Sequence, residues 1–338
     1  MRHSKRQTFC RASRHRRAAL VAAGLAAWGL AGVTGTAMAA EPYPSRDVTF
    51  IVPYAPGGST DPIARQFTQA LEKTLKTSVN VENKPGGSAT LGTGTVVRAK
   101  PDGYTIGLGT NSSLAYQPLV NRNLAYQSPD DYAPITKLVD IPTLIIVRKD
   151  APYKTFDDFM AEVRKAPGKV RVSVSGIRTA PDLAIQELNK VAGVRIATIP
   201  FTGGGGEAVI ALLGGRVEAL ATQAGSVMGH AQAGTVRVLA AFKKGRYDLF
   251  PDAASVVDAG YAVTLPAMYG VVGPKGMPKE VHDKLVAASL AAVNSADFIA
   301  FAKSNGYLVD ARGAEAFREE LNGYSRQFAD LIRFLDQK

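Results

Sequence analysis

The residues best suited to chemistry lie in a glycine-rich segment at residues 53–62, which joins a predicted strand to a predicted helix. Its adjacent glycines let the backbone approach a ligand closely, while Asp61 and Pro62 suit the N-cap and first turn of the helix. Amide hydrogens and the positive end of the helix dipole then favour an anion beside the Tyr54 ring. An ordinary capped connection explains this segment equally well when it is taken alone. The candidate binding residues here are Tyr54, Pro56, Gly57, Gly58, Ser59, Thr60 and Asp61.

A second junction of the same kind spans residues 175–182, where Pro181 suits the first turn of another helix. Arg178 carries a positive charge suited to bidentate binding of a carboxylate, although a solvated loop arginine is an equal alternative. Asp182 either complements the helix dipole or meets an ammonium group of a ligand. The candidate binding residues of this junction are Ser175, Gly176, Arg178, Thr179 and Asp182.

Short polar or glycine-rich segments follow three further predicted strands. The four glycines at residues 203–206 lose much conformational entropy on folding, which favours a close backbone approach or a mobile lip at this place. In open α/β sheets, ligands bind at the carboxyl ends of the strands, where all these segments fall. The candidates from these places are Asn111, Ser112, Phe201, Thr202, Gly203 and Gln223.

Signals for catalysis are weak in this sequence. The only histidines after residue 39 are His230 and His282, and each is isolated from any nucleophile or metal-binding pattern. The chain lacks a Gly-x-Ser-x-Gly elbow, a paired-histidine zinc motif, a Walker phosphate loop and the three-glycine dinucleotide spacing. Adjacent acids at residues 130–131 and 157–158 suit turns and helix caps better than a metal site. We predict no enzymatic activity, no metal and no cofactor; an exported hydrolase or isomerase is the rival interpretation.

The elements that position these loops are short β-rich runs alternating with helical patterns, which is typical of α/β domains with mainly parallel sheets. Residues 48–52 read as the first strand and residues 62–75 as the helix after it. The element order predicts one lobe built from residues 41–141 and 243–338, with a second lobe at residues 142–242. Hinge crossovers would then lie near Asp140 to Thr143 and between Ala240 and Tyr261. Two sequential domains with one linker are the alternative.

The first 39 residues have the three parts of a cleavable export signal. Seven basic residues form the head, an uncharged apolar run covers residues 18–33, and Ala37-Met38-Ala39 supplies the cleavage site. A membrane anchor is the weaker interpretation because the run is rich in Ala and Gly and shorter than the ~20 apolar residues of a span. We predict cleavage and localisation in the periplasm, and Arg16-Arg17 leaves a twin-arginine route open beside the general one.

Removal of the signal changes the electrostatic balance of the chain. The whole sequence has 40 Lys and Arg against 29 Asp and Glu, but seven of the basic residues and none of the acidic ones precede residue 40, which leaves +4. No basic run or interleaved basic and aromatic stripe remains, so we expect no nucleic-acid binding. The only cysteine, Cys10, is also removed, so the mature chain has no disulfide and depends on burial for its stability.

An ordered series of motifs carries a resemblance to a known family. Its segments are residues 43–46, 51–61, 81–88, 99–105, 131–135, 175–176, 200–203 and 269–274. On these segments the chain resembles the extracytoplasmic solute receptors of tripartite tricarboxylate transporters, often called Bug receptors, from about residue 43 to residue 306. Three residues depart from the usual family pattern, namely Arg178 at a position usually small, Asp182 at a position often histidine, and Met268 at a position usually aromatic.

The resemblance implies a type II periplasmic-binding fold, with two Rossmann-like lobes joined by two hinge crossovers and no enzymatic activity. It implies that a small carboxylate, such as a dicarboxylate, aromatic acid or amino acid, is held by backbone amides of the loops at residues 54–61 and 175–182. Water is expected to bridge the ligand on the side of the first lobe. The implied partners are the membrane permease subunits of such a transporter, with the receptor acting as a monomer. A membrane sensor kinase that recognises the closed receptor is the alternative partner.

Overall fold

Strands and helices alternate along the chain in the computed structural model, which describes residues 42–56, 60–201 and 204–337. The predicted export signal lies outside the described residues, and so do Gly57, Gly58, Ser59, Thr202 and Gly203 of the predicted site. The strands are β1 (Val48–Val52), β2 (Val79–Asn83), β3 (Thr105–Thr110), β4 (Tyr132–Ile141), β5 (Leu144–Arg148), β6 (Arg171–Val174), β7 (Ala197–Pro200), β8 (Ala219–Thr222), β9 (Val236–Ala241), β10 (Ala254–Ser255), β11 (Ala267–Pro274) and β12 (Leu308–Gly313). The helices are α1 (Thr60–Leu75), α2 (Thr90–Val97), α3 (Gln117–Val120), α4 (Phe156–Lys165), α5 (Ala180–Ala192), α6 (Gly204–Leu213), α7 (Met228–Gln232), α8 (Lys279–Val293), α9 (Ala296–Ser304) and α10 (Ala314–Asp336).

Two six-stranded sheets divide the described strands between two lobes. The sheet of lobe 1 has the order β12-β4-β11-β3-β1-β2, and the sheet of lobe 2 has the order β10-β9-β5-β8-β6-β7. The chain leaves lobe 1 after β4, builds the second sheet with β5 to β10, and returns to lobe 1 as β11. Two sheets, each flanked by helices, give the α/β two-lobed fold class that the sequence predicts.

The strand directions differ from the prediction of mainly parallel sheets. β1 runs parallel to β2 and β3, but β11 is antiparallel to β3 and β4, and β5 is antiparallel to β8 and β9. The chain enters β11 and β5 by crossing between lobes, rather than through the strand–helix–strand units that enforce parallel pairing. β12, which follows β11 through α8 and α9, is antiparallel to its neighbour β4. Both sheets are therefore mixed.

Each sheet buries both of its faces, and this arrangement fixes the strand ends that carry the loops. In lobe 1, β1 is almost wholly buried, with Phe50 packed on one face against Phe67 of α1 at a ring separation of 5.7 Å. On the opposite face, Ile51 joins a second cluster with Val96 of α2. Burial of each such side chain stabilises the fold by about 1.5–3 kcal/mol. A continuous apolar run such as β1 is the pattern expected for a strand covered on two faces.

Helix α10 contributes to the cores of both lobes. Phe317 and Leu321 in its first half pack into a lobe 1 cluster, while Phe328 and Leu331 in its second half pack into the main cluster of lobe 2. Its 23 residues give a length of about 35 Å, enough to reach from one core to the other. The two crossings near residues 142–143 and 256–266 are thus not the only chain segments that connect the lobes.

Among the residues that the structure describes, no single helix is long and apolar enough to cross a membrane. Helices α8 and α9 meet the length and composition of a span only as a pair with a bend of 57° between them. Leu285 of α8 and Phe298 of α9 are both fully buried in the lobe 1 core.

A buried lysine cluster holds α10 to the sheet of lobe 1 beside the first crossing. The ammonium of Lys137 in β4 lies 2.8 Å from Asp140, 2.7 Å from Asp310 of β12 and 2.5 Å from Glu320 of α10. The three carboxylates are close enough together to suggest a metal site, but Lys137 lies among them and supplies the positive charge. Because the lysine side chain is only 1% exposed, its loss would leave three carboxylates without this counter-charge.

The pH dependence of this cluster is a testable consequence. Burial outweighs the attraction of Lys137 and raises the pKa of Asp140 from 3.8 to about 6. The folded protein therefore holds this proton more tightly than the unfolded chain does, and the contribution of Asp140 to the free energy of unfolding falls as the pH rises through this interval. We expect wild type to lose about 1 kcal/mol or more relative to Asp140→Asn across the same interval in urea unfolding.

Asp297 provides the control of opposite sign. Its exposed carboxylate pairs with Lys73 at 2.8 Å, and the hydrogen bond from that lysine lowers its pKa. The contribution of Asp297 is present above the unfolded pKa and is lost as the pH falls through the folded one. Wild type should therefore gain stability relative to Asp297→Asn as the pH rises. Parallel profiles for wild type and Asp140→Asn would contradict the assignment of a raised pKa to Asp140.

Candidate ligand-binding site

A cavity of about 610 Å³ lies between the two lobes at the ends of β1, β2, β3, β6 and β8. Loops from both lobes line it, and this volume is in the range of pockets that enclose small organic molecules. None of the described lining residues is charged, so a ligand has to be recognised by hydrogen bonds to neutral groups. The polar residues of the lining, together with Gly176, are Tyr54, Thr60, Ser88, Thr110, Ser112, Ser175, Thr179, Thr222, Gln223, Ser226 and Tyr269.

Hydroxyl groups from a loop, a helix and two strands line the lobe 1 side of the cavity. Tyr54, after β1, lies 3.3 Å from the Thr110 hydroxyl at the end of β3. Thr60, the first described residue of α1, lies 3.0 Å from the Tyr269 hydroxyl of β11. Enclosure and the neighbouring Tyr269 raise the pKa of Tyr54 well above its ordinary value, so this hydroxyl is a neutral donor at physiological pH.

Asp61 supports the first loop from behind. Asn83, at the end of β2, donates to the Tyr54 carbonyl at 2.9 Å and to the Asp61 carboxylate at 2.8 Å, and Arg65 donates to the other carboxylate oxygen at 2.8 Å. Burial disfavours ionisation of Asp61, but the hydrogen bonds from Arg65 and Asn83 prevail and lower its pKa. The helix begins at Thr60, so the prediction that Asp61 is the N-cap is wrong. Asp61 instead lies in the first turn and anchors the loop to β2.

The loop between β6 and α5 forms the lobe 2 side of the cavity. Gly176 has a φ of 143°, which a residue with a side chain adopts only under strain, and its carbonyl accepts a hydrogen bond from the Thr179 hydroxyl at 3.0 Å. Arg178 has a φ of 57°, and its amide donates to the Asp182 carboxylate at 2.6 Å. Pro181 lies in the first turn of α5, as the sequence predicts. The loop is therefore held in one shape by its own side chains.

Two hydrogen bonds cross directly between the lobes at the rim of the cavity. The Ser112 hydroxyl, after β3, donates to the Arg178 carbonyl at 2.7 Å, and the Ser88 hydroxyl, after β2, donates to the Ile177 carbonyl at 3.2 Å. Both acceptors are carbonyls of the loop between β6 and α5. The described structure is thus a closed arrangement in which lobe 1 contacts that loop.

The structure brings together eight of the described residues that the sequence nominates. They are Tyr54, Pro56, Thr60, Ser112, Ser175, Gly176, Thr179 and Gln223, all of which line the cavity. The other described candidates do not line it and have different partners. They are Asp61, Asn111, Arg178, Asp182 and Phe201.

Arg178 and Asn111 show why these candidates face elsewhere. Burial raises the pKa of Tyr116, and the nearby positive charge of Arg178 opposes that rise. Asn111 is fully buried, accepts from the Ser112 amide and donates to the Pro266 carbonyl at 2.9 Å. Asn111 therefore positions the chain at the lobe boundary, and neither Asn111 nor Arg178 lines the cavity.

Sequence reasoning missed one segment of the cavity wall, residues 85–89. A signal for it is present, because Pro85-Gly86-Gly87-Ser88 repeats the order of Pro56-Gly57-Gly58-Ser59 and also follows a strand. Gly86 and Gly87 have positive φ angles, and so do Ser88 and Ala89, where a side chain makes this conformation costly. Tyr269 was missed as a site residue because nothing in a buried strand sequence shows which way its hydroxyl points.

Comparison with known proteins gives one consistent result. The sequence profile for the tripartite tricarboxylate transporter family receptor matches residues 63–326. A UPF0065 protein of Bordetella pertussis is 31% identical over 268 residues, which cover 79% of this chain and 82% of that protein.

Two solved structures are similar in fold and in sequence. The periplasmic binding protein BugD has a TM-score of 0.78 and 32% identity, and the alignment covers 86% of this chain and 98% of BugD. MatC from Rhodopseudomonas palustris, solved with bound malate, has a TM-score of 0.77 and 28% identity, with coverage of 86% of this chain and 100% of MatC.

Proposed function

We propose that this chain, which belongs to the receptor family of tripartite tricarboxylate transporters, captures a small organic carboxylate between its lobes and delivers it to a membrane permease. Family membership confirms the resemblance drawn from the sequence motifs. The family consists of periplasmic solute-binding receptors, and its assigned role is binding rather than catalysis. The ligand class, the delivery step and the export of this particular chain are the parts that we propose.

The observation that carries the proposal is a neutral cavity lined with donors from both lobes. An anion in a cavity without charged walls has to be held by dipoles, and the described lining provides hydroxyl groups together with the starts of two helices. Thr60 lies in the first turn of α1, and Thr179 is the N-cap of α5. Helix starts present amide hydrogens that have no partner within the helix and that favour negative charge.

Contacts from both lobes supply the reason for closure. A ligand shifts a conformational equilibrium only by its difference in affinity for the two states. The lobe 1 hydroxyls and the loop before α5 approach one another only when the lobes are closed, so a carboxylate that bridges them favours that state. We assign direct ligand contacts to Thr60 and Ser175. The roles assigned to Asp61, Arg178, Asp182, Ser112 and Thr179 are to position the loops, because the Ser112 and Thr179 hydroxyls already donate to carbonyls of the loop between β6 and α5.

Similarity to a structure with a bound carboxylate supports the ligand class. MatC, 28% identical to this chain, holds malate in its solved structure. Three of the loops that match the family motifs line the cavity here, namely those that follow β1, β2 and β6. Removal of residues 1–39, release into the periplasm and action as a monomer complete the proposal. The comparisons do not favour a sensor kinase as the partner.

A ligand screen of the purified protein tests the proposal. Aliphatic, aromatic and amino-acid carboxylates are scanned by thermal shift, and each hit is titrated by calorimetry beside its neutral carboxamide. A ligand present at about 100 times its Kd stabilises the folded state by about 2.7 kcal/mol, which raises the melting temperature measurably. We expect at least one carboxylate to bind and its carboxamide to bind at least about tenfold more weakly, because charge-assisted hydrogen bonds are the stronger ones.

Two outcomes would contradict the proposal. If carboxylates and carboxamides stabilise the protein equally, negative charge is not what the cavity recognises. If no carboxylate of any class binds, the ligand class is wrong. Delivery to a permease is tested separately by uptake of the labelled ligand into cells with and without the receptor gene, and unchanged uptake would contradict that step.

A further inference from the structure

The buried lysine cluster beside the first crossing contains more negative than positive charge. Lys137 lies within 2.8 Å of three carboxylates, those of Asp140, Asp310 and Glu320. The second cation, Arg312, lies 2.9 Å from Asp310. Two cations against three carboxylates leave one negative charge without compensation when every group is ionised. The Oδ1 atom of Asp140 is buried and accepts no hydrogen bond from any described residue, so an ionised Asp140 is costly here and a proton is held more readily than in water.

Four elements surround Asp140 in the part of the chain that the structure describes. Strand β11 places the uncharged Met268 opposite it. The charged and titratable groups around it are Lys137 on β4, Asp310 and Arg312 on β12, and Glu320 and Tyr324 on α10. Burial is the largest influence on Asp140 and outweighs the attraction of Lys137, so its pKa is raised to about 6.

Asp140 lies at the place where the chain leaves lobe 1. It precedes Ile141, the last residue of β4, and residues 142–143 form the first crossing. Glu320 also contacts Lys137, and it belongs to α10, which is anchored in the cores of both lobes. Opening of the lobes turns the chain at this crossing and displaces α10 relative to at least one lobe. The surroundings of Asp140 are therefore tied to the relative position of the lobes.

Tyr324 connects this cluster to lobe 2. It lies one turn after Glu320 in α10, and its side chain packs against the core clusters of both lobes. Its ring stacks on Phe328, the lobe 2 anchor, with 6.0 Å between the ring centroids. Burial and the charges of Asp140 and Glu320 raise the pKa of Tyr324, so it is a neutral neighbour of the cluster. Movement of lobe 2 away from lobe 1 would displace this tyrosine and admit water to Asp140.

We propose that the lysine cluster is a pH-sensitive contact at the hinge, which takes up a proton from solvent on Asp140 when the lobes close and returns it when they open. The inference rests on the proposed function, in which a ligand favours the closed arrangement. Because linkage is reciprocal, a proton that binds the closed state more tightly strengthens ligand binding by the same factor. Ligand affinity should therefore rise as the pH falls through about 6 and weaken as the pH rises.

Calorimetry at pH 5 and pH 7 tests this coupling. The probes are succinate, adipate, benzoate and glutamate, and the one with the lowest Kd at pH 7 is used for every variant. Return of Asp140 to its ordinary pKa on opening would strengthen binding about tenfold at pH 5 relative to pH 7, and partial return would give less. We expect the ratio of Kd at pH 7 to Kd at pH 5 to be at least about threefold larger in wild type than in Asp140→Asn. Titration of the probe itself affects both proteins equally.

Two further variants separate the cluster from other carboxylates of the protein. Glu320→Gln leaves two cations against two carboxylates, so it should also reduce the pH dependence, and it replaces Asp140→Asn if that variant does not fold. Asp130→Asn is the matched control, because Asp130 also pairs with α10, through Arg318 at 2.8 Å, but is 80% exposed. This control should keep the pH dependence of wild type.

The empty receptor provides a measurement that needs no ligand. The only cysteine of the sequence is Cys10, so Lys100→Cys in lobe 1 and Lys169→Cys in lobe 2 introduce two exposed labelling positions in the mature chain. Fluorescence energy transfer between dyes at these positions reports the separation of the lobes. Between pH 7 and pH 5 the signal should shift toward the value of the closed arrangement, and Asp140→Asn should abolish this shift.

The outcomes distinguish this inference from the function on which it rests. The same change of Kd between the two pH values in wild type and Asp140→Asn would overturn the pH-sensitive contact and leave carboxylate binding intact. A loss of pH dependence in Asp130→Asn as large as in Asp140→Asn would overturn its assignment to the cluster. If none of the four probes binds, the energy-transfer measurement alone decides, and a signal that does not change with pH overturns the inference. Failure of every carboxylate in the wider screen would instead contradict the proposed function.

Discussion

Replacing Lys137 with methionine is expected to lower the free energy of unfolding by about 3 kcal/mol, the largest stability effect that we predict. The substitution keeps most of the side-chain volume and removes only the charge. Asp140, Asp310 and Glu320 would then repel one another inside the protein, with Arg312 left as the remaining cation at 2.9 Å from Asp310. Equilibrium urea unfolding of the variant near neutral pH measures the loss.

Lys73→Met is the matched control for this prediction. Lys73 also forms an ion pair at 2.8 Å, with Asp297, but both side chains are more than half exposed. Surface ion pairs of this kind contribute about 0–1 kcal/mol. If Lys73→Met and Lys137→Met destabilise the protein equally, burial of the lysine cluster does not matter and our account of how α10 is held is wrong.

Gly176→Ala is expected to weaken carboxylate binding about tenfold or more. At a φ of 143° alanine is strained by about 1–3 kcal/mol, and its Cβ would lie 3.1 Å from the Thr179 side chain. The loop would relax by turning its backbone, which displaces the amides and the hydroxyls that meet the ligand. Calorimetric titration with the best ligand from the screen measures the change in Kd.

Gly193→Ala provides the control at the other end of the same helix. Gly193 is the C-cap of α5, has a φ of 62°, and has open space where a Cβ would lie. Alanine there should lower the free energy of unfolding by about 1 kcal/mol and leave the Kd unchanged. A Gly176→Ala variant that binds with the wild-type Kd would show that the shape of the loop does not control affinity.

Local sequence patterns were sufficient to predict many of the elements. The continuous apolar run at residues 48–52 predicts β1, which forms at those residues. The adjacent acids at residues 157–158 predict a cap or turn, and Thr155 is the N-cap of α4 there. The partner of that cap is Asp158 rather than Asp157, because the third residue of a helix is the one whose side chain reaches back to the cap. These features depend on neighbouring residues, so the sequence contains the information for them.

The candidate site was predictable as a set of loops but not as a set of side chains. Glycine pairs, prolines and caps mark the ends of strands, and most of the loops they mark line the cavity. The direction of a long side chain depends on distant residues, and Arg178 turns to Tyr116, which lies 62 positions earlier in the chain. The hydroxyls of Thr222 and Tyr269 belong to strands and depend on sheet register in the same way. No local pattern reveals these contacts.

Helix α10 limits how far the two lobes can separate when a ligand is released. One end of α10 is anchored in the core of lobe 1 by Phe317, and the other end is anchored in the core of lobe 2 by Phe328. The lobes cannot separate by rotation about the two crossings alone. Helix α10 also has to slide, bend or withdraw one of these two aromatic side chains from its core. The angle to which the two lobes can open is therefore limited by the repacking of this one helix.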